Sequence, residues 1–229
     1  MRQIPDYSDR RSKSRCAYCG GAAETRDHVP SRVLLNEPFP ENLPVVPACR
    51  ACNESFSLHE QYLACLVAVV LAGDLDAVAA VSAKAARILD TTPALRAKIA
   101  SARSGAPDRP HWAVELERVY IVLRKLAQGH IYYEIAEPRA FEPDSLWAAP
   151  LVAMDSASRE QFERVESPNV WPEVGSRVMQ RLLTSEDSRG DGWIVVQDGW
   201  YRFHVDWGGD IEVRVVLGEY LGGIVRWDA

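Results

Sequence analysis

Four of the five cysteines form two Cys-X-X-Cys pairs within the first 52 residues. The first pair is Cys16 and Cys19, the second is Cys49 and Cys52, and 29 residues lie between the pairs. Each pair can present two sulfurs from one tight turn, so the four thiolates can close a tetrahedral zinc site. Four sulfur ligands leave no open coordination position, which predicts a structural zinc ion that holds together segments too short to bury a core. Bound iron, or cysteines without a metal, stays open as an alternative.

Further polar residues lie between and directly after these pairs. Asp27 and His28 precede Pro30, Asn42 precedes a second extended segment, and Asn53 follows Cys52. Taken singly, an Asp-His pair before proline is typical of a capped turn, Asn42 of a turn and Asn53 of a helix cap. Their position inside a zinc-binding segment favours a chemical role instead.

Together with the cysteine pairs, these residues resemble the HNH endonuclease family. The resemblance covers residues 14–62, roughly a fifth of the chain, and keeps the family's order of Asp27-His28, Asn42 and Asn53. It implies a ββα-metal fold braced by zinc and an endonuclease that acts on DNA, with RNA left open. Accessory nucleases of bacterial defence systems fit the same resemblance, which is an argument by association.

Phosphodiester hydrolysis needs a base that activates water and a hard divalent cation that offsets charge on the phosphate. The resemblance implies that His28 is the base, that Asp27 and Asn53 bind the metal, and that Asn42 braces the loop and orients the base. Oxygen ligands favour Mg²⁺ or Mn²⁺ as the catalytic ion. Many relatives carry His or Lys one turn later, where this chain has Ser57. Within a strand, Asp27 and His28 point to opposite faces, so sharing one site requires a bend.

Charge is distributed unevenly along the chain. Residues 1–60 carry 8 Lys and Arg against 8 Asp and Glu, whereas residues 61–229 carry 18 against 24. A basic cluster near the cysteines can neutralise phosphates, although a solvated face is an equal alternative. The acidic remainder predicts weak DNA binding by the isolated chain, and a protein partner or self-assembly through the C-terminal region. The residues expected to contact nucleic acid are Arg10, Arg11, Lys13, Arg15 and Arg26.

The overall composition is that of an ordinary globular protein, with 47% hydrophobic and 25% charged residues among 229. The longest apolar stretch, Leu63 to Gly73, is shorter than the ~20 residues that cross a bilayer, so no membrane association is expected. The N-terminal residues do not follow a secretory signal pattern. The expected compartment is therefore the cytoplasm.

The sequence predicts an α+β protein in four segments. Residues 1–15 form a basic N-terminal arm, and residues 16–62 form the zinc-braced ββα-metal module. Residues 63–170 are expected to be mostly helical, and residues 171–229 to form an antiparallel β meander.

Within these segments the periodicity places individual elements. Strands are predicted at residues 25–29 and 43–46, followed by a helix from Arg50. The remaining predicted helices cover residues 76–89, 94–102, 112–127 with an end near Gly129, and 157–165. The four predicted strands of the meander cover residues 193–197, 200–205, 211–216 and 220–227.

Other candidate residues are assigned to structure. His59 and Glu60 are expected to be solvated on the first helix. Five of the seven tryptophans come after residue 147, and packing is a better explanation for them than base stacking. The structural assignments also include Cys65, His111, His130 and His204.

Two functions follow from these observations. The leading one is a metal-dependent HNH endonuclease whose C-terminal part serves recognition, assembly or control. The alternative is a zinc-containing module that binds nucleic acid or protein without cutting. A base beside a carboxylate favours the nuclease, because binding alone needs neither.

Overall fold

The computed structural model describes residues 12–106, 109–165, 174–184 and 192–229. Over these ranges the chain is an α+β protein, as predicted, with α-helices and three antiparallel sheets. The α-helices are α1 Arg50–Ala72, α2 Ala83–Thr91, α3 Pro93–Ser101, α4 Leu116–Ile135, α5 Ser156–Glu163 and α6 Arg177–Thr184. The strands are β1 Thr25–His28, β2 Val45–Ala48, β3 Arg103–Ala106, β4 Arg109–Trp112, β5 Ser145–Pro150, β6 Ile194–Gln197, β7 Tyr201–Asp206, β8 Ile211–Leu217 and β9 Leu221–Trp227.

The segment that carries the candidate site runs strand, strand, helix. β1 pairs antiparallel with β2, with Asp27 opposite Val46 and His28 opposite Val45. α1 begins directly after β2, and its N-cap is Cys49, whose sulfur accepts a hydrogen bond from the Cys52 N–H at 3.4 Å. The two short strands and the helix start lie close to their predicted positions.

α1 is the longest helix of the described chain. It ends at Gly73, which adopts the left-handed conformation that favours glycine at a helix C-terminus. By length and composition α1 could cross a membrane, but core helices meet the same criterion, and half of its most apolar window is buried inside the protein. In this structure its apolar residues pack against α2, α4 and the short 3₁₀-helices Arg32–Leu34 and Val78–Ala80.

The helical middle of the chain differs from the prediction at the start of α2, at a hairpin and at both ends of α4, whose predicted start at Trp112 lies in β4. α2 begins at Ala83 instead of residue 76, because the Ser82 hydroxyl caps it by accepting a hydrogen bond from the Ala85 N–H at 3.3 Å. The hairpin of β3 and β4 was not predicted, since its residues lack the apolar alternation that marks a strand. α3 and α5 lie close to where they were expected.

The predicted end of α4 near Gly129 is wrong, because the helix continues to Ile135. A Cβ atom at Gly129 would lie 2.6 Å from Cγ2 of Val29 and 2.9 Å from Cγ1. Gly129 therefore allows α4 to pack closely against the chain just after β1. A glycine required for close packing has the same appearance in a sequence as a glycine that ends a helix.

The C-terminal sheet has five strands in the order β5-β9-β8-β7-β6, not the four that were predicted. The four predicted strands form the meander, and β5 adds to its edge by pairing with β9. The turn between β8 and β9 has positive φ at both Gly218 and Glu219, as expected for a tight hairpin. α6 also lies in the region that was expected to be β, so that expectation was too simple.

One large apolar core connects the N-terminal segment to the C-terminal sheet. It contains Leu34, Leu35 and Leu43 together with residues of α1, α4 and the sheet. α4 is the central element, because it contacts α1, β2 and four strands of the sheet. The expected domain boundary at residue 62 falls inside α1, and the one at residue 170 lies outside the described residues.

Candidate metal centre and the polar cluster beside it

The structure brings the four paired cysteines together. The Sγ atoms of Cys16, Cys19, Cys49 and Cys52 all lie within 4.8 Å of one another. Those of Cys19 and Cys49 are 3.8 Å apart. A zinc ion with bonds of ~2.3 Å in a tetrahedron separates its sulfurs by about 3.8 Å, so the cluster fits a zinc ion. All five cysteines lie in the described ranges, and none forms a disulfide. The predicted four-cysteine cluster is therefore present and could hold a metal such as zinc.

Local backbone structure positions each pair. The first pair lies in a tight loop in which the Cys16 N–H donates to the Gly21 carbonyl at 2.7 Å and the Gly20 N–H donates to the Cys16 carbonyl at 2.9 Å. Gly20 has a φ of 73°, which a residue with a Cβ rarely adopts. The second pair lies at the N-terminus of α1. The hydrogen bond from the Cys52 N–H lowers the pKa of Cys49, whereas burial, followed by hydrogen bonding to Cys49, raises the pKa of Cys52.

Asp27 is buried next to the cysteine loop. Its Oδ2 atom accepts a hydrogen bond from the Tyr18 hydroxyl at 2.8 Å and lies 2.7 Å from the Nζ atom of Lys125 on α4. Burial, followed by the Asp27 charge, raises the pKa of Tyr18 well above its usual value, so Tyr18 remains a donor. Both contacts fall on Oδ2, and the described residues make no hydrogen bond or ion pair to Oδ1.

The expectation that Glu60 is solvated is wrong. Its side chain is only 8% exposed and forms an ion pair with Lys125, which is 1% exposed. The Ser31 hydroxyl donates to Glu60 Oε1 at 2.5 Å and accepts from Lys125 Nζ at 2.5 Å. Glu60 is buried because α4, more than fifty residues further along the chain, covers this face of α1 and supplies its counterion.

We call Tyr18, Asp27, Ser31, Glu60 and Lys125 the buried polar cluster. Of these five residues, only Asp27 and Glu60 stand out in the sequence. Glu60 falls seven residues after Asn53 on nearly the same face of α1, which was a usable signal. Lys125 had no such signal, because a lysine in an amphipathic helix is normally solvent-exposed.

His28 lies on the other side of β1 from Asp27. Asp27 is buried and His28 is partly exposed, as expected for neighbouring residues of a strand. A guanidinium nitrogen of Arg32 lies 3.1 Å from His28 Nε2. Arginine can only donate, so Nε2 is the acceptor and the neutral ring carries its proton on Nδ1. Burial, followed by the charge of Arg32, lowers the pKa of His28, which favours this neutral form.

The two asparagines occupy different environments. Asn53 lies in α1, and its Nδ2 atom approaches the Thr25 hydroxyl at 3.4 Å. Cys49 is the N-cap of α1, so Asn53 does not cap this helix. Asn42 is exposed in the turn before β2, which agrees with the alternative of a turn residue. The geometry thus associates Asn53 with β1 and leaves Asn42 on the surface.

The basic residues lie at the edge of this region. Arg15 is exposed and forms an isolated β-bridge with Ala22, and Arg26 is exposed on β1. By strand alternation Arg26 and His28 share one face. Lys13 lies in a short 3₁₀-helix, whereas Arg10 and Arg11 lie outside the described residues.

Asp27 and Asn53 offer some, but not all, of the oxygen ligands that a divalent cation needs. Asp27 Oδ1 and the Asn53 amide oxygen are oxygen donors of the type that Mg²⁺ and Mn²⁺ prefer. The ammonium group on Oδ2 of the same carboxylate opposes such an ion. Asp27 can therefore contribute at most one free oxygen while Lys125 is in place.

No protein-family model, curated protein or solved structure matches this chain. The HNH resemblance accordingly depends on the motif residues themselves, and the function must be argued from the site.

Proposed function

We propose that this chain is an HNH-type endonuclease, braced by zinc, that hydrolyses phosphodiester bonds, with DNA as the expected substrate. The observation that carries the proposal is the partly exposed, neutral His28 beside Arg32, one residue from a carboxylate and on a strand next to the four-cysteine cluster. A surface binding module needs no such base.

His28 acts as the general base in this proposal. Its Nε2 lone pair, which now accepts from Arg32, would accept the proton of the attacking water. Arg32 would turn its guanidinium group to the phosphate, where charge-assisted hydrogen bonds are strong. Asp27 Oδ1 and the Asn53 amide oxygen would hold Mg²⁺ or Mn²⁺. When bound, that ion supplies charge stabilisation at the phosphate and leaving oxygen.

The alternative of a zinc-containing module that binds without cutting also has a specific observation in its favour. Asp27 is ion-paired with Lys125, and His28 points to the opposite face of β1. A site in this arrangement could bind an anionic surface through Arg26 and Arg32 without catalysis. The two functions differ in one measurable result, which is strand cleavage.

The decisive test is plasmid cleavage by the full chain with EDTA, Mg²⁺ or Mn²⁺. We expect cutting only with added metal, and we expect His28→Ala to reduce the rate at least 100-fold, since a general base contributes about 10² to 10⁴. His111→Ala is the matched control, because His111 is an exposed histidine on β4. Zinc content and thermal unfolding of both variants should match the wild type.

DNA binding without cutting under every condition would select the binding module. Cleavage by His28→Ala at the wild-type rate would show that His28 is not the base. Asp27→Asn is less informative, since it also removes a partner of the buried Lys125.

A further inference from the structure

The Nζ atom of Lys125 is completely satisfied by the N-terminal segment. Its three acceptors are Asp27 Oδ2 at 2.7 Å, Ser31 Oγ at 2.5 Å and Glu60 Oε1. An ammonium group has three donors, so each has one partner. With 1% of the side chain exposed, the charge is held inside the protein and not in solvent.

This ammonium group lies between two acidic side chains. Two buried carboxylates, Asp27 and Glu60, contact the same nitrogen, and each also accepts one hydrogen bond, from the Tyr18 hydroxyl and the Ser31 hydroxyl respectively. The rings of Tyr18 and Phe56 lie 5.8 Å and 5.5 Å from Nζ. Two acids and one base leave a net formal charge of minus one, which would be minus two without the lysine.

We propose that the Lys125 ammonium is an internal cation that competes with a divalent metal for Asp27 and keeps the metal affinity of the resting chain low. The inference rests on the proposed function, because that function places the metal on Asp27. It adds a control that the HNH resemblance did not suggest.

Coulomb repulsion gives the direction of the effect. A metal on Oδ1 and an ammonium on Oδ2 share one carboxylate, and like charges about 5 Å apart repel appreciably even at an effective dielectric constant of ~20. Any movement of Lys125 Nζ away from Asp27 Oδ2 would therefore raise the affinity of Asp27 for the metal. Ser31 and Glu60 can keep the ammonium paired while it moves.

Lys125 lies on α4, which also packs against the C-terminal sheet. Two residues earlier, Leu123 packs on Gly223 of β9, where an added Cβ would lie 2.7 Å from its methyl groups. Five residues later, His130 stacks on Phe203 of β7 with ring centroids 3.6 Å apart. The helix that carries Lys125 therefore packs on the C-terminal sheet on both sides of this residue.

Direct metal binding tests the proposal without measuring cleavage. The full, zinc-loaded chain is titrated with Mn²⁺, and free Mn²⁺ is followed by electron paramagnetic resonance. Mn²⁺ is a hard ion that does not displace zinc from thiolates. We expect Lys125→Met to bind one Mn²⁺ about tenfold or more tightly than the wild type. Lys98→Met is the matched control, because Lys98 pairs with Glu115 at the exposed surface, and it should leave the affinity unchanged.

The double variant Asp27→Asn with Lys125→Met should lose the gain, since the competed carboxylate is gone. The proposal is overturned if folded Lys125→Met binds Mn²⁺ no more tightly than the wild type. It is equally overturned if the double variant keeps the gain, because the metal then does not use Asp27.

A second measurement covers the case in which Lys125→Met does not fold. In the wild type, the ¹⁵N signal of the Lys125 ammonium is followed during titration with diamagnetic Mg²⁺. We expect the signal to shift, or its hydrogen exchange to accelerate, as Mg²⁺ saturates the Asp27 site. An unchanged signal at saturation overturns the proposal. Expected metal binding without any plasmid cleavage would refute the endonuclease while the competition at Asp27 stands.

Discussion

Individual side chains at the candidate site owe their protonation to their immediate surroundings. The thiol pKa values of Cys49 and Cys52 move in opposite directions, because one accepts a helix N–H and the other is more buried. A zinc ion requires all four sulfurs as thiolates, so zinc binding releases protons and is weakened by acid. Zinc bound by this cluster is therefore expected to stabilise the fold of this segment.

The zinc prediction is tested at Cys49. We expect purified protein to hold about one zinc per chain that brief EDTA treatment does not remove. Cys49→Ser should lose most of this zinc and unfold at a clearly lower temperature, because it removes a metal ligand while the serine hydroxyl can still accept the N-cap hydrogen bond of α1. Elemental analysis and circular dichroism measure the two effects.

Cys65→Ala provides the control for Cys49→Ser. Cys65 is buried in α1 and does not belong to the four-cysteine cluster. This variant should keep its zinc. Iron absorbance, or native titration of four thiols, would contradict the assignment of the cluster to zinc.

At the scale of elements, the contact of α4 with the N-terminal segment decides what the site contains. Gly129 brings the helix against Val29, and one turn earlier Lys125 enters the space between β1 and α1. A local change in this packing should therefore move a charge at Asp27. α4, which was expected to end near Gly129, continues to Ile135 and so covers this part of the N-terminal segment on both sides of Gly129.

Gly129→Ala tests this packing. Helix propensity alone predicts a stabilisation of about 1 kcal/mol. The added methyl group would contact the Val29 side chain at 2.6 Å, so we expect a net destabilisation of about 1 to 3 kcal/mol in urea unfolding. Val29→Ala combined with Gly129→Ala should recover part of the loss. A Gly129→Ala variant that is more stable than the wild type would show that this close approach does not exist.

At the scale of the whole molecule, the free energy of unfolding should depend on pH, because titratable histidines are buried in the core that α4 shares with the sheet. His130 is fully buried, stacks on Phe203 and has Nε2 2.8 Å from the Tyr201 hydroxyl. Burial, followed by the charge of Arg181, lowers the pKa of His130 well below 6.5. Burial also lowers the pKa of His204, so both histidines act in the same direction.

The sign of the pH effect follows from these shifts. The folded state keeps His130 neutral, whereas the unfolded chain takes up a proton below about pH 6.5, so stability is lost as the pH falls below that value. We expect a slope of up to about 1.4 kcal/mol per pH unit for this one proton. His130→Gln should be less stable at pH 8 but should lose less stability between pH 7 and pH 5. A parallel loss in wild type and variant would exclude His130 as the group responsible, with His111→Gln as the exposed control.

The distribution of charge gives an expectation for the proposed binding of nucleic acid by the whole chain. Residues 61–229 carry an excess of acids, so affinity must come from the N-terminal basic residues and the metal. We expect ~4 phosphate contacts. A plot of the logarithm of the binding constant against the logarithm of the salt concentration should then have a slope of about −4. Deleting residues 1–14 should weaken binding and make the slope shallower. Tight binding that is insensitive to salt and to this deletion would contradict the electrostatic account.

Much of the candidate site could be predicted from the sequence, because it depends on interactions between residues that are close together in the chain. The cysteine spacing, β1, β2 and the start of α1 each depend on residues close together in the chain, and so do the hairpin turns of the C-terminal meander. Only the tertiary structure decided that Glu60 is buried and that Asp27 pairs with Lys125. These outcomes depend on α4 packing against β1 and α1 across more than fifty residues of chain. Neither helix periodicity nor local spacing predicts the contact of Lys125 with Asp27 and Glu60. A buried lysine differs from a solvated one only in the acids that surround it in the folded protein.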